Sequence, residues 1–584
     1  MDVGSSGIPS SSGSTQRSGA CMSCRRRKMR CDKEKPICGP CIRSNRREDC
    51  EYPDAQGRSR TQILEENIAR LQSRIRELEH PDEKTPTITL RNPYGSREGS
   101  PMDSGPVLTN PGSIGSSAGS QHDASLGIGG DPISSLENVE SWRALDEPPP
   151  HIVQQLMDNF LPNASQFGFF LNMSLFLRSS MLPFPLGHPY RPSPALLSTV
   201  YLWGLHLSQS DALRDHESIF RSRALQCTSS ALSGTHPQMF LHTLQAEILL
   251  ASYFFRNGRF LEGKYHMSAA ASLTISGGLN GIRGDSSYAA DVVGDRSPSL
   301  PPPNDAVEEG EHINGFWAAL ILDKCWSVAL SSPSNFTDDE TLGTRINTPW
   351  PLDDASYEQG LLLPNVRSSS TVQDFMSDTL DLEEGRFSDV AVRAMAALLF
   401  ERTTHVAIRW KPDMHPQNAA AFQANFVALD RLVAKFQHYL IHMGQFQGLT
   451  PHGTRDLLVT HSLAYAATIQ LHRNFASRNA NSNRKCLAAA SAVVMILDNT
   501  DLSGVVYINP IIGTLLMGIC QVIIAEITRL RRHPSHQAPG FPVRDEAQLI
   551  AAIQTVMATM GMFAANCPII NFQLTKVQEA YAAI

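Results

Sequence analysis

The stretch CMSCRRRKMRCDKEKPICGPCIRSNRREDC, residues 21–50, holds six of the 11 cysteines, and the remaining 554 residues hold five. Three chemistries concentrate thiols in this way: disulfides, metal ligation and redox exchange. The opening MDVGSSGIPSSSGSTQRSGA lacks the apolar run of a secretory signal, so the thiols are expected to stay reduced and disulfides are disfavoured. The spacing is C-x2-C-x6-C-x6-C-x2-C-x8-C, at Cys21, Cys24, Cys31, Cys38, Cys41 and Cys50. A redox CxxC usually stands alone beside a strand–helix pattern; here there are two, and no such pattern flanks them. Structural zinc takes four sulfurs in a tetrahedron. One zinc on Cys21, Cys24, Cys38 and Cys41 would leave Cys31 and Cys50 without a role. Two zincs need eight ligand positions, which six thiolates supply if two of them bridge. The two-zinc arrangement is preferred because it uses every cysteine.

The net charge of −7 hides an asymmetry. Residues 17–60 carry 13 Lys+Arg against 6 Asp+Glu, whereas the rest of the chain carries 37 against 51. A small basic module on an acidic body points to a polyanion as the module's partner. Arg25, Arg26, Arg27, Lys28 and Arg30 are expected on one short helix, too polar to enter a core. Their chemistry suits phosphate neutralisation and readout of guanine O6 and N7 in the major groove. Arg26, Arg27, Arg43 and Arg46 are the candidates for phosphate contact. Pro36 falls where the chain must reverse between the two halves. A module of about thirty residues has almost no apolar core, so metal must hold it folded.

The segment ACMSCRRRKMRCDKEKPICGPCIRSNRREDCEY, residues 20–52, resembles the fungal-type zinc binuclear cluster, the DNA-binding domain of many fungal transcription regulators. The likeness covers the basic run after the second cysteine, the Lys-Pro turn and the aromatic after the last cysteine. It implies two zinc ions per chain, with Cys21 and Cys38 bridging. It also implies that Lys28 contacts a CGG-type DNA triplet, because a lysine at that position does so in the family. The last spacer, of eight residues, is at the long end of the family's range.

After a linker at 55–60, the sequence TQILEENIARLQSRIRELE places Leu64, Leu71 and Leu78 seven apart, with Ile68 and Ile75 on the second seam. Ile at a and Leu at d favour a parallel two-stranded coil, so a dimerising coiled coil is expected over 61–80. Nineteen residues span only about 28 Å, so the body is expected to contribute to the dimer. Residues 1–16 and 81–140 are rich in Ser, Gly and Pro and are expected to be disordered. Gly115 to Gly119 fit the GxSxG pattern of serine hydrolases, but nothing around them reads as the required strand and helix.

From 141 to 584 apolar residues recur at helical spacing, as in EILLASYFFRNGRFLEGKYHMSAAASLTI and RDLLVTHSLAYAATIQLHRNFA, with little strict alternation. The expected body is all-helical, with an exposed loop near 284–310. Stretches such as GFWAALILDKCWSVALSSPSNFTDDE and INTPWPL are similar to the fungal-specific transcription factor regulatory domain, best over 150–400. Other patterns carry less. His438 and His442 lack the intervening Glu of HExxH. Cys227, Cys325, Cys486, Cys520 and Cys567 are scattered and read as small hydrophobes. Gly277, Gly278, Gly281 and Gly284 end a helix rather than open a dinucleotide loop. The apolar run Val505–Ile527 is cut by Pro510 and is expected to be a core helix rather than a membrane span.

The expected protein is therefore mostly α: a zinc-held DNA-binding cluster at 17–54, a short coiled coil, a tether and a large helical regulatory domain at 141–584. No acid/base or nucleophile constellation marks an enzyme. The expected role is a nuclear, sequence-specific regulator of RNA polymerase II genes, as the resemblance implies. Its expected partners are double-stranded DNA, a second copy and the transcription machinery, without a membrane, and with room for a small-molecule inducer. The alternative is a metabolite-binding or enzymatic helical body fused to a DNA-binding module.

Overall fold

Side chains that accept hydrogen bonds open the helices of this protein. Asn172, Ser193, Asp305, Asp353, Ser388, Thr450, Asn479 and Asp545 each stand at a helix start, and each accepts from a backbone N–H two or three residues on. Such caps satisfy donors that the helix itself leaves unpaired. Proline occupies the first turn after two of these starts, Ser193 and Thr450, and after Cys567, where its missing N–H costs nothing. The computed structural model describes residues 20–45, 47, 50 and 52. It also describes 145–584 apart from 285–299, 340–343, 364, 384, 386, 444–449 and 533–544. The chain divides into two units, residues 1–125 and 126–584.

The first unit contributes two one-turn helices, α1 (Met22–Arg26) and α2 (Gly39–Arg43). In the second unit all the regular elements among the described residues are helices. They begin with α3 (Pro150–Phe160), α4 (Met173–Ser180), α5 (Pro194–His206), α6 (Asp211–Arg214) and α7 (Glu217–Ser230). Next come α8 (Met239–Arg256), α9 (Phe260–Ser276), α10 (Ala306–Ala329), α11 (Asp354–Glu358) and α12 (Thr371–Met376). The last seven are α13 (Asp389–Arg409), α14 (Pro416–Met443), α15 (Pro451–His472), α16 (Ala480–Asn499), α17 (Ile511–Arg532), α18 (Glu546–Ala564) and α19 (Pro568–Ala582).

Helix α5 is buried on every side from Ala195 to Leu205, which makes it a central core element. It packs on α3, α7 and α8. At Gly204 the backbone of α3 comes so close that a Cβ would lie 2.5 Å from the Leu156 carbonyl, so only glycine fits. Three stacked aromatic pairs, holding four tryptophans, anchor the helical unit. Trp203 stacks on Phe167 at 4.0 Å, Trp317 on Trp350 at 4.5 Å, and Trp326 on Phe255 at 4.0 Å. The buried indole N–H groups of Trp203 and Trp317 donate to the carbonyls of Leu249 and Pro349, as burial of a polar atom requires. In the C-terminal half, α13 packs on α15, and α15 in turn on α16 and α17.

The glycines at 277 and 278 do terminate α9: Gly277 N donates to the Leu273 carbonyl, and Gly278 has φ of 70°. Of the expected loop near 284–310, residues 285–299 lie outside the described residues, and α10 starts at Ala306 behind the Asp305 cap. The apolar run at 505–527 becomes a helix at Ile511, after Pro510, and runs on to Arg532. By length and composition α17 and α18 could each cross a membrane. In the structure α17 buries Ile512, Leu516, Ile519, Cys520 and Ile527 against the body. Glu526, 2 % exposed, accepts from Arg529 at 2.6 and 2.8 Å and from Asn483 at 3.2 Å.

Candidate metal centre and nucleic-acid interface

Each CxxC pair sits at the start of a one-turn helix, so the two halves of the first unit are built alike. Cys21 precedes α1 and Cys24 lies within it; Cys38 is the N-cap of α2 and Cys41 lies within that helix. Backbone amides point at sulfur in both halves: Cys24 N–H donates to Cys21 Sγ at 3.4 Å, and Cys38 N–H to Cys50 Sγ at 3.3 Å. The sulfurs converge. Cys21–Cys38 and Cys24–Cys38 are 3.6 Å apart, Cys21–Cys41 3.8 Å and Cys24–Cys41 3.9 Å. A disulfide would bring two sulfurs to about 2.05 Å. A tetrahedron of thiolates around zinc, with bonds of about 2.3 Å, has edges of about 3.8 Å. The observed separations match those edges.

The remaining cysteines join the same cluster. Cys50 Sγ lies 3.7 Å from Cys38 Sγ, and the ligand atoms of Cys31, Asp32 and Cys38 lie within 4.8 Å of one another. The Asp32 carboxylate is engaged elsewhere, accepting from Gly39 N–H at 2.8 Å and Glu34 N–H at 3.3 Å. Cys38 therefore borders sulfurs on both sides, the placement that a bridging thiolate needs. Burial, with the crowded sulfurs, pushes the Cys50 thiol up to about 12 and raises that of Cys24 as well. A divalent cation reverses this logic, because ligation deprotonates the thiol outright. The donor set fits zinc.

Polar ties hold the two halves together. Arg27 Nη1 donates to Ser44 Oγ at 3.3 Å, and Tyr52 OH donates to the Glu34 carbonyl at 2.7 Å. Ser44 and Asp32 carry no signal in the sequence, whereas Tyr52 is the aromatic after the last cysteine that belongs to the family likeness.

The basic run does not form a single helix as the sequence suggested. Helix α1 stops at Arg26. Met29 N–H reaches back to the Cys24 carbonyl at 2.9 Å, and Lys28 takes a left-handed φ of 52°, the closure of a Schellman motif. Arg25 and Arg26 thus belong to the helix, Arg27 and Lys28 to its closing turn, and Arg30 to the extended chain beyond. Arg26, Arg27, Lys28, Arg30 and Arg43 are all exposed, as is Arg47, which the sequence reading passed over. The side chain of Arg25, all of Arg46, and the seam of Leu64, Ile68, Leu71, Ile75 and Leu78 lie outside the described residues.

Comparison with known proteins reaches the same segment. Residues 19–59 match the fungal Zn(2)-Cys(6) binuclear cluster domain, and residues 163–395 match the fungal specific transcription factor domain. The chain thus carries a fungal zinc-cluster domain followed by a fungal transcription factor domain. The zinc-cluster domain takes two zinc ions. The chain is similar to the chromatin structure-remodeling complex protein RSC30 of Saccharomyces cerevisiae, 54% identical over 39 residues. It is also similar to RSC3 of the same organism, 55% identical over 38 residues. These matches cover 7% and 6% of this chain, and 4% of the length of each relative. No solved structure matches the chain.

Outside the zinc-cluster domain, the other patterns stay structural. His438 and His442 are exposed, with His442 Nδ1–H donating to the His438 carbonyl at 2.9 Å. Cys325, Cys520 and Cys567 are buried within the hydrophobic core, Cys486 is buried at a cavity wall, and Cys227 is partly buried.

Proposed function

We propose that this chain is a zinc-dependent, sequence-specific DNA-binding regulator of transcription that works in the nucleus. Cys21, Cys24, Cys31, Cys38, Cys41 and Cys50 serve as the zinc ligands, with Cys21 and Cys38 bridging. One observation carries the reading: sulfurs spaced at the edges of a zinc tetrahedron, with exposed Arg26, Arg27, Lys28, Arg30 and Arg43 on the same small unit. Zinc fixes the backbone so that the cations need not be ordered by a core. Lys28 reads the base edges of a CGG-type triplet, while the arginines hold phosphates. Residues 61–80 pair two chains, so that two clusters read two triplets.

The test uses the full-length chain. Metal analysis is expected to return two zinc ions per chain, and binding to paired CGG triplets is expected to exceed binding to a single one. Leu71→Pro would break the coil at its centre and should abolish that preference while keeping both zincs. A ratio of one zinc, unchanged by Cys31→Ser and Cys50→Ser, would remove the two-metal reading. A wild-type chain indifferent to paired sites would remove the dimer.

A further inference from the structure

Among the described residues, two cavities of more than 400 Å³ open on the helical unit. The larger, about 840 Å³, borders Lys324, whose ammonium is already held by Ser334 Oγ at 2.9 Å, the Phe336 carbonyl at 3.0 Å and Glu401 at 3.6 Å. The second, about 440 Å³, lies among α15, α16 and α17, within the usual range for small-molecule sites. Phe400, Ile469, Leu515, Val522 and Ala525 give it an apolar wall. Gly518 of α17 opens onto free space: a Cβ there would meet nothing within 4 Å.

The polar groups of this second cavity are unevenly satisfied. Glu526 is neutralised by Arg529. Asn483, 9 % exposed, donates through Nδ2 to Glu526 Oε2 at 3.2 Å, which pins its amide, and its Oδ1 has no hydrogen-bond partner. A buried acceptor left unpaired is costly. At the exposed edge stand Arg473 and Arg532. Arg473 donates to the Gln470 side chain at 3.1 Å, and neither arginine takes part in an ion pair among the described residues. Three arginines therefore line a largely apolar space, and its one carboxylate is spent on Arg529.

We infer that this cavity binds a small amphipathic organic acid. Its apolar body lies against Phe400, Ile469, Leu515 and Val522, and its anionic group meets Arg473 and Arg532. The volume is too small for a helix of another chain. A cation would be repelled by the arginine pair, and a neutral apolar molecule would leave both arginines unused. The inference is independent of DNA binding.

Thermal unfolding of the zinc-loaded full chain, titrated with decanoate, decanol and decylamine below their micellar concentrations, tests it. Decanoate is expected to raise the midpoint saturably. Decanol should bind roughly ten-fold more weakly, for want of a charge-assisted contact, and decylamine should have no effect. The double variant Arg473→Gln, Arg532→Gln should bring decanoate down to the level of decanol and leave decanol unchanged. Gly518→Leu, whose Cβ meets nothing within 4 Å, projects into the cavity and should sharply reduce both shifts while the ligand-free midpoint stays at or above that of the wild type. Equal shifts from all three compounds overturn the inference. So does the absence of any shift with decanoate, or a decanoate shift that survives both Gly518→Leu and the arginine variant.

Discussion

Lys28 carries two demands at one position. Its backbone occupies the left-handed region that closes α1, at φ 52°, where an L-residue other than glycine pays roughly 1–2 kcal/mol. Its side chain is exposed and is proposed to read DNA. Substitution by glycine separates the two. Lys28→Gly should hold zinc against a chelator at least as well as the wild type, gaining up to about 1 kcal/mol of cluster stability. It should nonetheless lose about 1–3 kcal/mol of binding to its best site and discriminate less at one base position. If Lys28→Gly bound DNA normally, the base-reading role would be wrong. The helix end at this residue is silent in the sequence. A left-handed helix end is normally announced by glycine or asparagine, and a lysine inside a basic run gives no such signal.

Among the elements, the two CxxC helices were legible because zinc ligation is local in sequence: two sulfurs on one turn and two on another. What joins them was not, because Asp32 contacts α2 seven residues on through an ordinary-looking carboxylate. Gly39 is required by that contact, since a Cβ there would come within 2.4 Å of Asp32 Oδ2. Gly39→Ala should push the carboxylate off the Gly39 N–H and weaken the start of α2, at a cost of about 1 kcal/mol. The expected readout is faster zinc loss to a chelator, partly restored in the double variant Gly39→Ala, Asp32→Ser, whose shorter side chain leaves room. Equal zinc loss from Gly39→Ala and wild type would show that the cap does nothing. Helix α17 shows the converse. Its start at Pro510 and its apolar face could be read directly, but its continuation past Glu526 depends on partners three residues ahead and on another helix, Arg529 and Asn483. The second cavity was illegible for the same reason, since its polar groups are spread from Arg473 to Arg532.

Across the described residues, half-buried histidines held neutral by their surroundings set a response to acid. His242 Nδ1 accepts from Ser193 N–H at 3.1 Å, and burial, helped by nearby His236, pushes its pKa down to about 3. The unfolded chain protonates this ring near pH 6.5 and the folded one only near 3, so stability falls as pH drops between those values. One such group contributes about 1.4 kcal/mol per pH unit in that window. Burial shifts His206 in the same direction. His242→Asn keeps an acceptor for Ser193 but cannot titrate. It should be less stable than the wild type at pH 7 and gain on it steadily from pH 6.5 to 4.5. A constant offset over that range would count against the neutral-ring account. The stacked tryptophans of the helical unit make this measurable in the intact chain. All six tryptophans lie at position 142 or later, and Trp203 and Trp317 are fully enclosed, so their emission is that of indole shielded from water. The zinc cluster contains no tryptophan and has Tyr52 as its single aromatic ring. Light absorbed at the red edge of the aromatic band thus excites the helical unit alone, and the metal-held unit is optically dark there. A cell full of chelator could empty the cluster while the tryptophan spectrum went on reporting a folded body.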